Sequence, residues 1–149
     1  MPAAAELANE TAALADALRP ALLRVSRRLR QEAQKAGVST LDALLLGQIY
    51  RRPGIGVCDL ADAEQMSRPT MSGHVKRLAS AGWITRADDA EDGRRTGLAI
   101  TDAGLVQMEE VRRLRNDWLS SRLARLDQAE REDLARAAPA LIKLLSVEA

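Results

Sequence analysis

Residues 56–101 read GVCDLADAEQMSRPTMSGHVKRLASAGWITRADDAEDGRRTGLAIT. Within them two short helical patterns, a turn and two strand-like runs follow one another with almost no linker. Leu60 and Ala61 sit in a helix of about two turns, Glu64-Gln65-Met66 supplies a turn, and Ser67 is placed to cap the next helix with its hydroxyl. That second helix is expected to run to Ala81. Its Met71, Val75 and Leu78 recur at steps of four and three, so they share a face that points at a core. At about 100° per residue the opposite face carries Pro69, Gly73, Lys76 and Ser80, with Thr70 and Arg77 on its edge. A short helix, a tight turn and a second helix with a small, polar, basic outer face is the helix-turn-helix plan, in which the second helix enters the major groove of DNA.

Gly82 can end the second helix in the left-handed conformation, and Trp83-Ile84-Thr85-Arg86 is β-branched and aromatic enough for a strand. From Ala87 to Gly97 a charged loop surrounds an Asp-Gly turn signal, after which Leu98-Ala99-Ile100 resumes alternation, so the two strands pair most simply as a hairpin. Such a hairpin is a wing. Here the sequence resembles the MarR family of winged helix-turn-helix regulators, whose wing has the form Asp-x-Arg, an apolar strand, then Thr-x-x-Gly. The corresponding residues are Asp92-Gly93-Arg94, Leu98 and Ile100, and Thr101-Asp102-Ala103-Gly104. Ser67-Arg68-Pro69-Thr70-Met71-Ser72 is similar to the family's recognition-helix opening as well, and the order and length of elements match over nearly the whole chain.

Beside the cap Ser67, the first turns of the second helix offer Arg68, Pro69, Thr70, Ser72 and Gly73 to base edges, while Lys76 and Arg77 are better placed for phosphates. Gly73 departs from the family, where a longer side chain is expected, and as a helix-interior glycine it gives up roughly 1 kcal/mol relative to Ala. In the wing, Asp88, Asp89, Glu91 and Asp92 by themselves would repel phosphate and merely solvate a loop. The family pattern implies otherwise: Asp92 holds Arg94 by a charge-assisted hydrogen bond while Arg94 points into the minor groove and Arg95 touches backbone.

The remainder of the chain is helical in pattern. Leu14, Leu18, Leu22, Val25 and Leu29 form a stripe at steps of four, four, three and four, interrupted by Pro20, where a kink or a fresh helix start near Arg19 is expected. Ser39-Thr40-Leu41-Asp42 resembles a capping box for a helix through Leu44, Leu45 and Ile49 that stops before Pro53-Gly54. Thr101 is a good cap for a helix to about Leu126, and Asp127-Gln128-Ala129-Glu130 is a capping box for a last helix with Leu134, Ala138, Leu141 and Leu145 inward and a bend expected at Pro139. These long helices carry more apolar surface than a small winged lobe can cover, so a second copy of the chain is the simplest partner. The resemblance implies the same twofold pairing, which would set two recognition helices about one DNA turn apart.

The expected architecture is therefore mainly α with a small β-hairpin wing. It is a single domain over residues 1–149, with a winged helix-turn-helix lobe over 38–101 and a helical dimerisation lobe from 5–36 and 102–149. With 149 residues, 2% aromatics and no Phe, the core must be built from Leu, Ala, Val and Ile. A net charge of +1 argues against indiscriminate coating of nucleic acid, but residues 24–52 hold seven basic side chains against Glu32 and Asp42, a local positive patch. No apolar run approaches the eighteen or so residues that span a bilayer, and the N-terminus has no secretory pattern, so a cytoplasmic location is expected. A single Cys58 agrees, since it cannot form an internal disulfide.

There are no paired carboxylates, no nucleophile with a base partner and no phosphate-binding glycine loop, so an enzyme is not expected. His74 and Cys58, one of each, make no plausible zinc site, and neither a metal nor a cofactor is expected. Cys58 near a helix start could favour a thiolate, but the family's cysteine sensors place theirs near the N-terminus. Family resemblance also implies a small aromatic effector in a crevice beside the dimerisation helices, for which Tyr50, Arg51 and Arg52 are candidate lining residues; a helix end with a solvated basic turn is the simpler account of them. The expected function is a homodimeric, sequence-specific regulator, a repressor on double-stranded DNA at a pseudo-palindromic operator. The alternative is a winged-helix module that uses the same face on protein.

Overall fold

The computed structural model of the chain describes residues 2–88 and 96–147. Its elements in order are α1 (Pro2–Gln34), α2 (Thr40–Arg51), β1 (Ile55–Gly56), α3 (Val57–Ala63), α4 (Arg68–Ser80), β2 (Ile84–Asp88), β3 (Thr96–Ile100), α5 (Asp102–Leu123) and α6 (Gln128–Leu144). The mainly helical fold with a small antiparallel sheet is the one expected. One strand was not. Ile55–Gly56 pairs with Leu98 and Gly97 of β3, so β3 lies between β1 and β2 in a three-stranded sheet. Gly97 permits this, because a Cβ there would stand 3.0 Å from the Cα and carbonyl oxygen of Gly54. The strands also run further into the expected loop than the side-chain pattern suggested: β2 starts one residue later than Trp83 but continues to Asp88, and β3 already begins at Thr96, so the ladder extends from Ile84↔Ile100 to Asp88↔Thr96.

The chain divides into two compact units, Met1–Arg115 and Asn116–Ala149. The core of the first is built from Leu45, Leu46 and Ile49 of α2, Leu60 and Ala61 of α3, Met71, Val75 and Leu78 of α4, and Ile55, Ile84 and Leu98 of the sheet. The periodicity of α4 thus places its three apolar residues inward as expected. In α2 the stripe is turned by one position: Leu46 joins Leu45 and Ile49 inside, and Leu44 is exposed. A smaller cluster of Ala33, Val38 and Val111 joins the end of α1 to α5, and there Gln107 donates to the Ala36 carbonyl and Arg115 Nε to that of Leu29. Burial of Arg115 pulls its guanidinium below the usual arginine range.

α1 continues through Pro20 without a break, which corrects the expectation of a new start near Arg19. Proline removes one N–H bond and its ring crowds the carbonyl four residues back, yet both are local costs, and the hydrogen bonds of a 33-residue helix carry the chain across them. Most of α1 up to Gln31 is exposed, Leu7, Leu14, Leu22, Leu23 and Val25 included. In the second unit the Asp127 capping box forms in both directions, with Glu130 N–H to Asp127 Oδ1 at 2.8 Å and Asp127 N–H to Glu130 Oε2 at 3.0 Å. Arg122 lies over the Trp118 ring, 4.5 Å from its centre. α5 ends at Leu123, three residues short of the expected Leu126, and α6 runs through Pro139 with no buried residue.

Candidate nucleic-acid interface

Local chemistry fixes both ends of α4. At its start Ser67 accepts the Thr70 N–H at 3.3 Å, while the two hydroxyls share a hydrogen bond of 2.7 Å. The preceding turn is closed by Met66 N–H to the Ala61 carbonyl, 2.9 Å, with Gln65 in the left-handed region at φ 52°. At the C-terminus Gly82 adopts φ 79°, and the Gly82 and Trp83 N–H groups return to the carbonyls of Ala79 and Leu78. This is the Schellman closure that a glycine after the helix makes accessible. Ser67→Ala is expected to lower stability by about 1 kcal/mol, because the Thr70 N–H loses its acceptor; an unchanged melting temperature would show that water caps the helix as well.

Between these ends the helix separates its faces. Met71, Val75 and Leu78 are fully buried, and Arg68, Pro69, Thr70, Ser72, Gly73, Lys76 and Arg77 are all exposed. A Cβ on Gly73 would meet nothing within 4 Å, so no packing within the protein requires a glycine there. His74 is half-buried at the flank. Among the expected contact residues Arg77 has a partner that sequence reasoning missed: its Nη2 donates to the carboxylate of Asp42 in the first turn of α2, and its Nη1 lies 3.0 Å from His74 Nδ1. Asp42 was expected to complete a capping box. Ser39 does accept the Asp42 N–H, 3.0 Å, but the Asp42 carboxylate turns to Arg77 instead of back to the cap. Nothing in the local pattern signals this, since the two residues are 35 positions apart.

Asp92, Arg94 and Arg95 of the wing lie outside the described residues. The root of the wing is described, and there the Thr101-x-x-Gly104 motif acquires a physical reason. Thr101 Oγ1 donates to the Gly82 carbonyl at 2.6 Å and accepts the Gly104 N–H at 3.1 Å, and Thr101 N–H donates to the Trp83 carbonyl at 3.0 Å. One residue therefore caps α5 and ties it to the segment that closes α4. Of the candidate effector residues, Arg52 lines an open groove with Pro53, Gly54, Ile55, Asp59, Asp62 and Ala63, whereas Tyr50 and Arg51 are exposed on the helix end. Gln48 bridges α2 to α3 through Glu64, 3.0 Å. Cys58 is exposed, and among the described residues no group of His, Cys, Asp and Glu could hold a metal ion. No described helix is long and apolar enough to cross a membrane.

Comparison with known proteins points one way. The sequence profile of the MarR family matches residues 39–96. An HTH-type transcriptional regulator of Mycobacterium tuberculosis is 31% identical over 137 residues, 92% of this chain and 96% of the relative. A crystal structure of a Pseudomonas aeruginosa protein described as a transcriptional regulator superposes with a TM-score of 0.80 at 31% identity, covering 94% of this chain and 99% of that one. A variant of Staphylococcus aureus MepR, solved bound to an oligodeoxyribonucleotide, shares the fold at a TM-score of 0.69 and 21% identity, over 89% of this chain and 97% of the other.

Proposed function

The chain belongs to the MarR family of DNA-binding transcriptional regulators, which are not enzymes, and from that premise we propose that it is a homodimeric repressor of a pseudo-palindromic operator. The observation that carries this is the division of α4: three fully buried apolar residues on one face, and on the other an exposed run of Arg68, Pro69, Thr70, Ser72, Gly73 and Lys76 without a large apolar side chain. Such a face has no internal use. Its small residues allow close approach to a groove floor, and Arg68 and Thr70 at the start of the helix have the reach and donors to address base edges. Lys76 and Arg77, further along, suit phosphates. For the wing, the family resemblance implies a minor-groove role for Arg94, with Asp92 as its partner and Arg95 on the backbone.

The dimer is supported by what α1 and α6 leave exposed: Leu7, Leu14, Leu22 and Val25 on one, Leu134, Ile142, Leu144 and Leu145 on the other. Twofold pairing through residues 5–36 and 102–149 would cover these stripes and leave residues 38–101 of each copy as a DNA-binding lobe, spaced for half-sites about one helical turn apart. Release by a small aromatic effector would need a site other than the groove beside Arg52, where Asp59 and Asp62 would oppose an aromatic acid.

Selection from a random pool of duplex DNA tests the proposal, and the wild-type protein should enrich an inverted repeat. Arg68→Ala or Thr70→Ala should then cost roughly 1–3 kcal/mol and relax the preference at particular base pairs. Lys76→Ala should weaken binding evenly across sequences and reduce the salt slope by about 1, as loss of a phosphate contact does. A protein that enriches no duplex, or whose binding does not weaken with salt, is using this face on something other than DNA.

A further inference from the structure

Asp42 is a buried carboxylate with a single outlet. Its side chain is 10% exposed and accepts from Arg77, whose own side chain is 51% exposed. A carboxylate placed so deeply is costly unless a charged or well-directed donor meets it. Capping does not account for it, because Ser39 already takes the Asp42 N–H and the Asp42 oxygens are not turned toward the cap. Arg77, in the last turn of α4, does account for it. Its guanidinium is gripped at two points, by Asp42 on Nη2 and by His74 on Nη1, and these use only part of the five N–H donors that arginine carries. About half of the side chain is exposed, and α4's outer face carries the other candidate DNA contacts.

We propose that Asp42 is a positioning residue for DNA binding: it sets the Arg77 guanidinium in advance so that its remaining N–H groups meet a phosphate of the bound duplex. The proposal rests on the DNA-binding assignment above and extends it to a residue of α2 that touches no nucleic acid. A free arginine side chain must give up many rotamers to make such a contact, whereas one already fixed by a carboxylate gives up few. His74 adds a second hold on the guanidinium, its Nδ1 lying 3.0 Å from Arg77 Nη1. Simple charge reasoning predicts the opposite role for Asp42, since an acid near the DNA-facing helix should weaken binding and its removal strengthen it.

The two are separated by Asp42→Asn, which keeps shape and removes charge. The probes are the duplex enriched by the wild-type protein and a scrambled duplex of the same composition, titrated by fluorescence anisotropy over a series of salt concentrations. Positioning predicts about tenfold weaker binding to both duplexes alike and a salt slope smaller by about 1, because the contact that is lost is to a phosphate and not to a base edge. Asp42→Asn placed on Arg77→Ala should add nothing, because the two residues act as one unit. Equal or tighter binding of the enriched duplex by Asp42→Asn overturns the proposal, as does a loss of the same size when Asp42→Asn is placed on Arg77→Ala, since a carboxylate that acts without Arg77 supports only the fold. If Asp42→Asn does not fold, Arg77→Lys decides: it keeps the charge but lacks the fork, so it should lose about tenfold on the enriched duplex, and wild-type binding overturns the proposal. A wild-type protein that enriches no duplex overturns the DNA-binding assignment as well.

Discussion

Gly104→Ala is expected to destabilise the protein by about 3 kcal/mol, although alanine is ordinarily the better helix former by about 1 kcal/mol. The added Cβ would stand 2.2 Å from the Trp83 carbonyl oxygen, 3.1 Å from its carbonyl carbon and 2.6 Å from Ile100 Cγ1. Backbone cannot turn aside as a flexible side chain can. To make room, the first turn of α5 would have to withdraw from the Gly82–Trp83 segment, and it is held there by Thr101 through its N–H and its hydroxyl. Overpacking of this kind costs about 1–3 kcal/mol, and each lost hydrogen bond adds about 1 kcal/mol. For a chain of this size the melting temperature should fall by roughly 6–12 °C. A variant as stable as the wild type, or more so, would mean that the start of α5 shifts freely and that the Thr-x-x-Gly motif has no steric basis.

Deleting residues 128–149 should abolish the proposed dimer. Four large apolar side chains that α6 and the residue after it expose, Leu134, Ile142, Leu144 and Leu145, would be lost with it, the last being 89% exposed in the single chain. Fully burying one such side chain is worth about 1.5–3 kcal/mol, while association must offset an entropic cost of about 4–15 kcal/mol. Removing this group from each protomer therefore takes most of the margin, and the dissociation constant should rise at least about a thousandfold. Sedimentation at micromolar concentration should show monomers or aggregates, and binding to a two-half-site operator should collapse with the dimer. A truncated chain that still sediments as a tight dimer would place the interface elsewhere and leave the apolar stripe of α6 without its proposed partner.

The features legible in the sequence were those set by neighbouring residues. Ser67 and Asp127 cap their helices, Gly82 takes the left-handed turn, and Thr101 caps α5, each through a bond that spans only a few positions. The fold followed from these, because a cap, a turn, a helix of fixed polarity and a hairpin leave few ways to bury Met71, Val75 and Leu78. What the sequence hid was non-local or nearly featureless. β1 is two residues long, too short for alternation to register, and exists because β3 offers it an edge. The pairing of Asp42 with Arg77 depends on how α2 and α4 come together, and the inward turn of Leu46 on how α2 meets the common core. Pro20 misled for a different reason: proline's local penalty was weighed without the long helix on either side of it. The contact residues on α4 are exposed as expected, and the selection experiment and its variants address their role.

Thr101 has a mechanical consequence. Because it joins the start of α5 to the Gly82 and Trp83 carbonyls just past the recognition helix, the two helices share a pivot. The part of α5 from Asp102 to Arg115, within the same compact unit, makes a lever about 20 Å long. A tilt of about 10° at the clasp displaces Arg115 by about 4 Å, and the reverse also holds: a movement of a few ångströms there reaches the recognition helix reduced to a small rotation. On the proposed reading such gearing would let a small displacement away from the groove break contacts inside it, since groove contacts are sensitive to small rotations.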